Sequence, residues 1–224
     1  MAAQCSKGIL LEFDFAAVDG SSLLYAAASG VFESYSLGIA FDKMAEARYF
    51  SGKKLVDAVS AHLSRAKSKR GVEKTACMIE AAFDASLAGA LASAVNADLK
   101  GFLKTLSAAG VKIVVFSRLD PEDVKAAIGP FAPEAEVYLE TSVVYGAARR
   151  DAWLRMCAKG KLSPKSSVAV SGNAEGVKAA LISGIPSAAV VHEHVSYQDF
   201  GGADAVSGKI DAAFAKKILK ILNI

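Results

Sequence analysis

Two carboxylates, Glu12 and Asp14, stand one residue apart at the end of the apolar run Gly8-Ile9-Leu10-Leu11. Paired acids can divide nucleophilic or metal-binding work from general acid–base work when their surroundings separate their pKa values. If residues 8–13 form a strand, side chains two apart leave on one face, so both acids emerge together at its carboxyl end. An open parallel sheet binds its ligands there. Other candidate groups follow the same pattern. Ser117 ends the β-branched segment 111–116 with a hydroxyl, Arg149 and Arg150 could grip an anion, and Ser171-Gly172-Asn173 closes the apolar segment 166–170. His192-Glu193-His194 puts two imidazoles on one face of an extended segment, but a zinc site needs three or four protein ligands. No Gly-x-Ser-x-Gly turn occurs, which argues against a serine hydrolase of that design.

Positioning these groups requires strands that alternate with helices, and the sequence reads that way at both ends of the chain. Residues 21–30 read as a helix opening on Ser21 or Ser22, and Asp19 as a cap of the turn after the first strand. The segment 97–106 reads as a helix capped by Asn96 or Asp98, and 111–116 as a strand buried on both faces. Pro121 opens a helix behind Asp120. Strands are expected at 136–139, 166–170, 187–191 and 203–206, and helices at 151–158, 174–183 and 211–222. This alternation implies right-handed crossovers and a parallel sheet. Residues 21–96 differ after their opening helix: apolar residues recur at three- and four-residue steps without strand alternation, as in several short helices. The expected organisation is a core from residues 1–20 and 97–224, with residues 21–96 as an inserted helical unit.

The chain has 224 residues, 53% of them apolar, with 26 basic and 23 acidic residues. That near balance does not call for nucleic acid. The basic run from Arg65 to Arg70 contains no aromatic residue and reads as a solvated helix end. Cys5, Cys77 and Cys157 are odd in number and far apart, which suits reduced, mostly buried thiols rather than disulfides or a metal site. No apolar run reaches the roughly 18 residues of a membrane span. The expectation is therefore no membrane and a cytoplasmic or other reducing, soluble compartment.

Four landmarks in order resemble the haloacid dehalogenase superfamily nearly end to end: the acid pair, the helical insert, a strand ending in Ser117, and basic residues before the turn at Ser171-Gly172. Residues 99–117 and 168–180 carry the strongest local likeness. The resemblance is to helical-cap members of the phosphoglycolate phosphatase and β-phosphoglucomutase kind. It implies a Rossmannoid three-layer α/β/α parallel sheet with an α-helical cap. In such enzymes the first acid attacks phosphorus and binds magnesium, while the second is general acid and base. It carries those roles to Glu12 and Asp14, phosphate binding to Ser117, and charge neutralisation to Arg149 or Arg150.

The chain departs from this pattern at four places. Glu12 is one methylene longer than the usual Asp, and a misplacement of about 1 Å can cost on the order of 10²-fold in rate. Phe15-Ala16 replaces a Gly-Thr or Gly-Val pair. Arginines stand where a lysine is usual, with different hydrogen-bond geometry. Gly172 replaces a metal-binding Asp, leaving Glu12 and Asp14 as a weak magnesium site if any, because that ion prefers hard anionic oxygens. Together these departures imply a catalytically degenerate protein acting as a binding or assembly module for a small anionic ligand or a protein partner. The alternatives are an active hydrolase of small phosphate esters and a metal-independent dehalogenase-type enzyme.

Overall fold

The computed structural model describes residues 6–141 and 150–224. Its centre is β1 (Gly8–Glu12), an apolar strand buried along its whole length. Parallel neighbours flank it: β2 (Lys112–Ser117) on one side and β4 (Ser167–Ser171) on the other. With β3 (Glu136–Leu139), β5 (Ser187–Val190) and β6 (Ala205–Ser207), they form one parallel sheet of order β3-β2-β1-β4-β5-β6. Strand order reverses about β1, so the crevice at a topological switch point opens at the carboxyl ends of β1, β2 and β4.

Both faces of the sheet are covered, as β-branched strands without polar alternation require. On one face, Ile9 and Leu11 pack with α5 (Ala97–Ala108), α6 (Pro121–Ile128) and α9 (Ala212–Ile221) through Phe102, Leu106, Val124, Phe214 and Ile218. On the other, Leu10, Val114 and Phe116 pack with α7 (Arg150–Lys159) and α8 (Ala174–Ile182) through Trp153, Met156 and Ala180. Asn96, Asp120, Asn173 and Asp211 each cap a helix by accepting a bond from an amide in its first turn. Gly184, at φ +71°, turns the chain from α8 toward β5.

Four helices follow β1 and form the cap: α1 (Gly20–Ser34), α2 (Lys43–Tyr49), α3 (Leu55–Arg65) and α4 (Val72–Ala94). The cap of α1 is Asp19, not Ser21 or Ser22; its carboxylate accepts from the Ser22 amide at 3.2 Å. The inserted helices are not all short, since α4 runs 23 residues. Among the described residues, it is the one helix long and apolar enough by length and composition to cross a membrane. Here Ile79, Phe83 and Leu87 line its buried face, and Phe32, Phe41, Phe50 and His62 form an aromatic cluster behind them. Cys77, on the same helix, is exposed, whereas Cys157 is buried as expected.

Candidate functional site

The strand predicted over residues 8–13 ends at Glu12. Residues Phe13–Ala17 coil into one π-type turn in which the Val18 amide donates back to the Phe13 carbonyl at 3.0 Å. Asp14 therefore lies on this turn rather than beside Glu12 on a strand face, and the two acids bond to opposite neighbours. Glu12 reaches toward β4, where the Ser171 hydroxyl donates to its Oε2 at 2.6 Å. Asp14 reaches toward β2, accepting from the Ser117 hydroxyl and, at 2.8 Å, from the Arg118 amide. Both carboxyls are buried, at 1% and 2% exposure. Burial pushes the Asp14 carboxyl up to about 6 against the opposing pull of the Ser117 and Arg118 bonds.

The turn is pressed against the end of β4. A Cβ built on Gly172 would overlap the Phe15 carbonyl and stand 2.9 Å from the Ala16 amide nitrogen. The side-chain space of residue 172 is thus filled by backbone. Two residues of the next turn are equally confined: a Cβ on Gly176 would overlap the Ser171 hydroxyl and lie 3.2 Å from Glu12 Oε2. Asn173 closes this corner at 1% exposure, its side-chain oxygen accepting from the Gly176 amide at 2.8 Å. The Trp153 indole donates to the Gly176 carbonyl at 3.1 Å, so packing accounts for this tryptophan.

The cap meets this corner through α4. The Phe15 ring stacks on Phe83 of α4 at 6.1 Å. Arg118, which sequence reasoning did not select, follows Ser117 directly and turns toward α4. Its guanidinium donates to both Asp84 oxygens, at 2.9 and 3.2 Å, and to the Thr141 carbonyl at 3.3 Å. A second tie joins cap and core where His194 meets Glu46 of α2 at 2.8 Å, both side chains buried. His194 of the His-Glu-His segment is thus engaged in packing. Glu175 of α8 is half-exposed; it accepts from Lys178 and lies where a Cβ on Gly52 of the cap would meet it at 3.0 Å.

Of the residues selected from sequence, the fold gathers Glu12, Asp14, Ser117, Ser171 and Gly172 into one buried corner. Arg150 is exposed at the start of α7, where its carbonyl accepts from Ser183 beyond the far end of α8. Arg149 lies outside the described residues. The donors do not suit magnesium: Gly172 has no room for an acid, and the Asp14 carbonyl lies against Gly20. Among the described residues, no three His, Cys, Asp or Glu side chains cluster as metal ligands do. A cleft of about 430 Å³ lies at the opposite end of the strands, where Lys112 and Glu136 begin β2 and β3.

No protein-family model matches the sequence, and no curated protein matches it. Solved structures do. A β-phosphoglucomutase from Clostridium difficile superposes with a TM-score of 0.72 over 97% of both chains at 13% identity. A predicted phosphoglycolate phosphatase from Haemophilus somnus gives 0.61 over 99% of both at 17% identity. A haloacid dehalogenase-like hydrolase from Streptococcus pneumoniae gives 0.60 over 90% of this chain and 93% of that one at 14% identity. The fold is the haloacid dehalogenase-like parallel sheet with a helical cap.

Proposed function

We propose that this chain is a non-catalytic protein of haloacid dehalogenase-like fold, a pseudo-phosphatase that serves as a binding or assembly module. The observation that carries this reading is the contact of Gly172 with the Phe15 backbone. Phosphoryl transfer depends on positioning and charge neutralisation at the phosphorus. In this corner a carboxylate cannot be placed at residue 172, Glu12 is held by Ser171, and the Arg118 guanidinium is neutralised by Asp84. Phe15 is buried and stacks on Phe83 of α4 beside this corner.

One observation favours a second reading, an active hydrolase of small phosphate esters. A carboxyl with a pKa of about 6, as at Asp14, is suited to general acid–base work near neutral pH. An assay with magnesium across a panel of phosphate esters, run beside Glu12→Ala and Asp14→Asn, separates the two. The proposal expects all three proteins to be equally inert. Turnover that either substitution abolishes would overturn it. The simple repair Glu12→Asp with Gly172→Asp is expected to fail because of the Phe15 backbone.

A further inference from the structure

The cap carries a concentrated positive charge. Residues 43–74 contain nine basic and three acidic residues, leaving 17 basic and 20 acidic for the remainder of the chain. All nine cations are exposed, whereas one of the three acids, Glu46, is buried against His194. Among the described residues, none of the nine enters an ion pair of the kind that ties Arg118 to Asp84. Asp57 and Glu73 within the segment, Glu33 and Asp42 just before it, Glu80 just after it and Glu175 against Gly52 offset part of this charge at the surface. Crowded like charges repel, so such a surface opposes its own stability unless something acidic covers it.

Folding also supplies the aromatic residues that the basic run lacks in sequence. The Arg65 guanidinium lies 5.7 Å above the Tyr49 ring, and that of Arg70 lies 4.7 Å above Tyr35. A tight turn joins them, with the Lys67 amide donating to the Ser64 carbonyl and the Arg70 amide to the Ser68 hydroxyl. The Tyr35 hydroxyl contacts Met78, and the Lys53 ammonium donates to the Arg48 carbonyl beside Tyr49. Exposed apolar side chains are set among these cations: Met44 at 72%, Val56 at 44% and Met78 at 39% exposure.

We propose that this face of the cap is a docking surface for an acidic segment of a protein partner. Arginines braced on aromatic rings lose little freedom on binding, and their planar forks match carboxylates bidentately. Arginine, tyrosine and methionine are also the residues enriched at protein interfaces. Single-stranded nucleic acid fits less well because the guanidinium groups cover the tyrosine faces on which bases would stack. A lipid surface fits less well because the exposed apolar groups lack the Trp, Phe or Leu of an inserting face. Along α4 the surface runs from Val72, roughly 18 Å from Asp84, to Met78, roughly 9 Å from it, and the proposal does not rest on the state of the site at Asp14.

The test measures fluorescence anisotropy of a labelled peptide of alternating glutamate and leucine, with the full chain. Binding is expected to weaken about tenfold or more in Arg65→Gln/Arg70→Gln, which removes two charge-assisted pairs. Lys53→Gln/Lys69→Gln, which touches neither ring, should weaken it less. Lys216→Gln/Lys220→Gln on α9, with the same charge removed, should leave it within about twofold if the site rather than net charge is read. Absence of peptide binding, or equal loss in the α9 variant, overturns the proposal. So does tighter binding to oligouridylate or phosphatidylserine vesicles, or a dimer in sedimentation that Arg65→Gln/Arg70→Gln dissolves.

Discussion

The Cα of Gly172 rests against the carbonyl of Phe15 so closely that no side chain fits between β4 and the turn that follows β1. Gly172→Ala is therefore expected to destabilise the protein by about 3 kcal/mol or more, at or beyond the upper end of overpacking penalties, because the obstacle is backbone and cannot rotate away. Gly89→Ala on the exposed face of α4, where nothing lies within 4 Å, should instead stabilise by about 0.5–1 kcal/mol. Urea unfolding of the two variants beside the parent checks the contrast.

Asp14 gives stability an unusual pH dependence. Its folded pKa of about 6 lies above the unfolded 3.8, so the native state holds the proton more tightly. The contribution is most favourable below the unfolded value and is lost as pH rises through 6, by on the order of 3 kcal/mol. Asp14→Asn keeps an acceptor for the Arg118 amide and removes the titration. The difference in unfolding free energy between the two proteins, followed from pH 4 to 7, should turn steadily in favour of the variant.

His62 has the opposite slope. It is fully buried among Phe32, Phe41 and Phe50, and neither ring nitrogen has a hydrogen-bond partner among the described residues. Burial, with Arg65 nearby, holds its pKa below the usual 6.5. The unfolded chain then takes up a proton that the native chain refuses, so stability falls as pH drops through 6.5 and below. His62→Leu is expected to raise the melting temperature at neutral pH, because it removes buried polar atoms worth about 1–3 kcal/mol when unpaired. The gain should widen at pH 5.

The Arg118–Asp84 pair should respond asymmetrically. The Arg118 side chain is 13% exposed and that of Asp84 48%, so removing the acid leaves a covered cation with the looser Glu80 contact at 3.9 Å, while removing the arginine leaves the acid in water. Asp84→Ala is expected to cost about 1–3 kcal/mol, more than Arg118→Met, because a weakly paired charge is penalised where it is buried. A double-mutant cycle in thermal unfolding measures the coupling.

Much of the fold is legible in the sequence because its signals are local. The apolar run before Glu12 marks a central strand, Asp120-Pro121 marks a helix start, and Asn96 and Asn173 mark two others. The site is less legible, for geometric reasons. Period-two alternation places Asp14 with Glu12 only if the strand continues, and the chain coils one residue earlier. Gly172 reads as a missing carboxylate, but only the packed turn shows that the space itself has gone. Arg118 and Asp84 are 34 residues apart, and Glu46 and His194 are 148 apart, so no spacing rule links either pair. Of the tyrosines beneath Arg65 and Arg70, Tyr49 ends α2 and Tyr35 directly follows α1, and the basic run therefore looks bare when read alone.

The bond from the Trp153 indole to the Gly176 carbonyl makes the chain its own optical gauge. Trp153 is the sole tryptophan in the sequence and is fully buried, its ring edge-on to Phe116 at 5.0 Å. Its emission therefore originates one turn of α8 behind Glu12 and Ser171, without any label. A red shift on warming would time the moment when water reaches the floor of the crevice. Comparing that moment with the loss of helical circular dichroism, to which α4 contributes the longest helix described, would order the opening of core and cap.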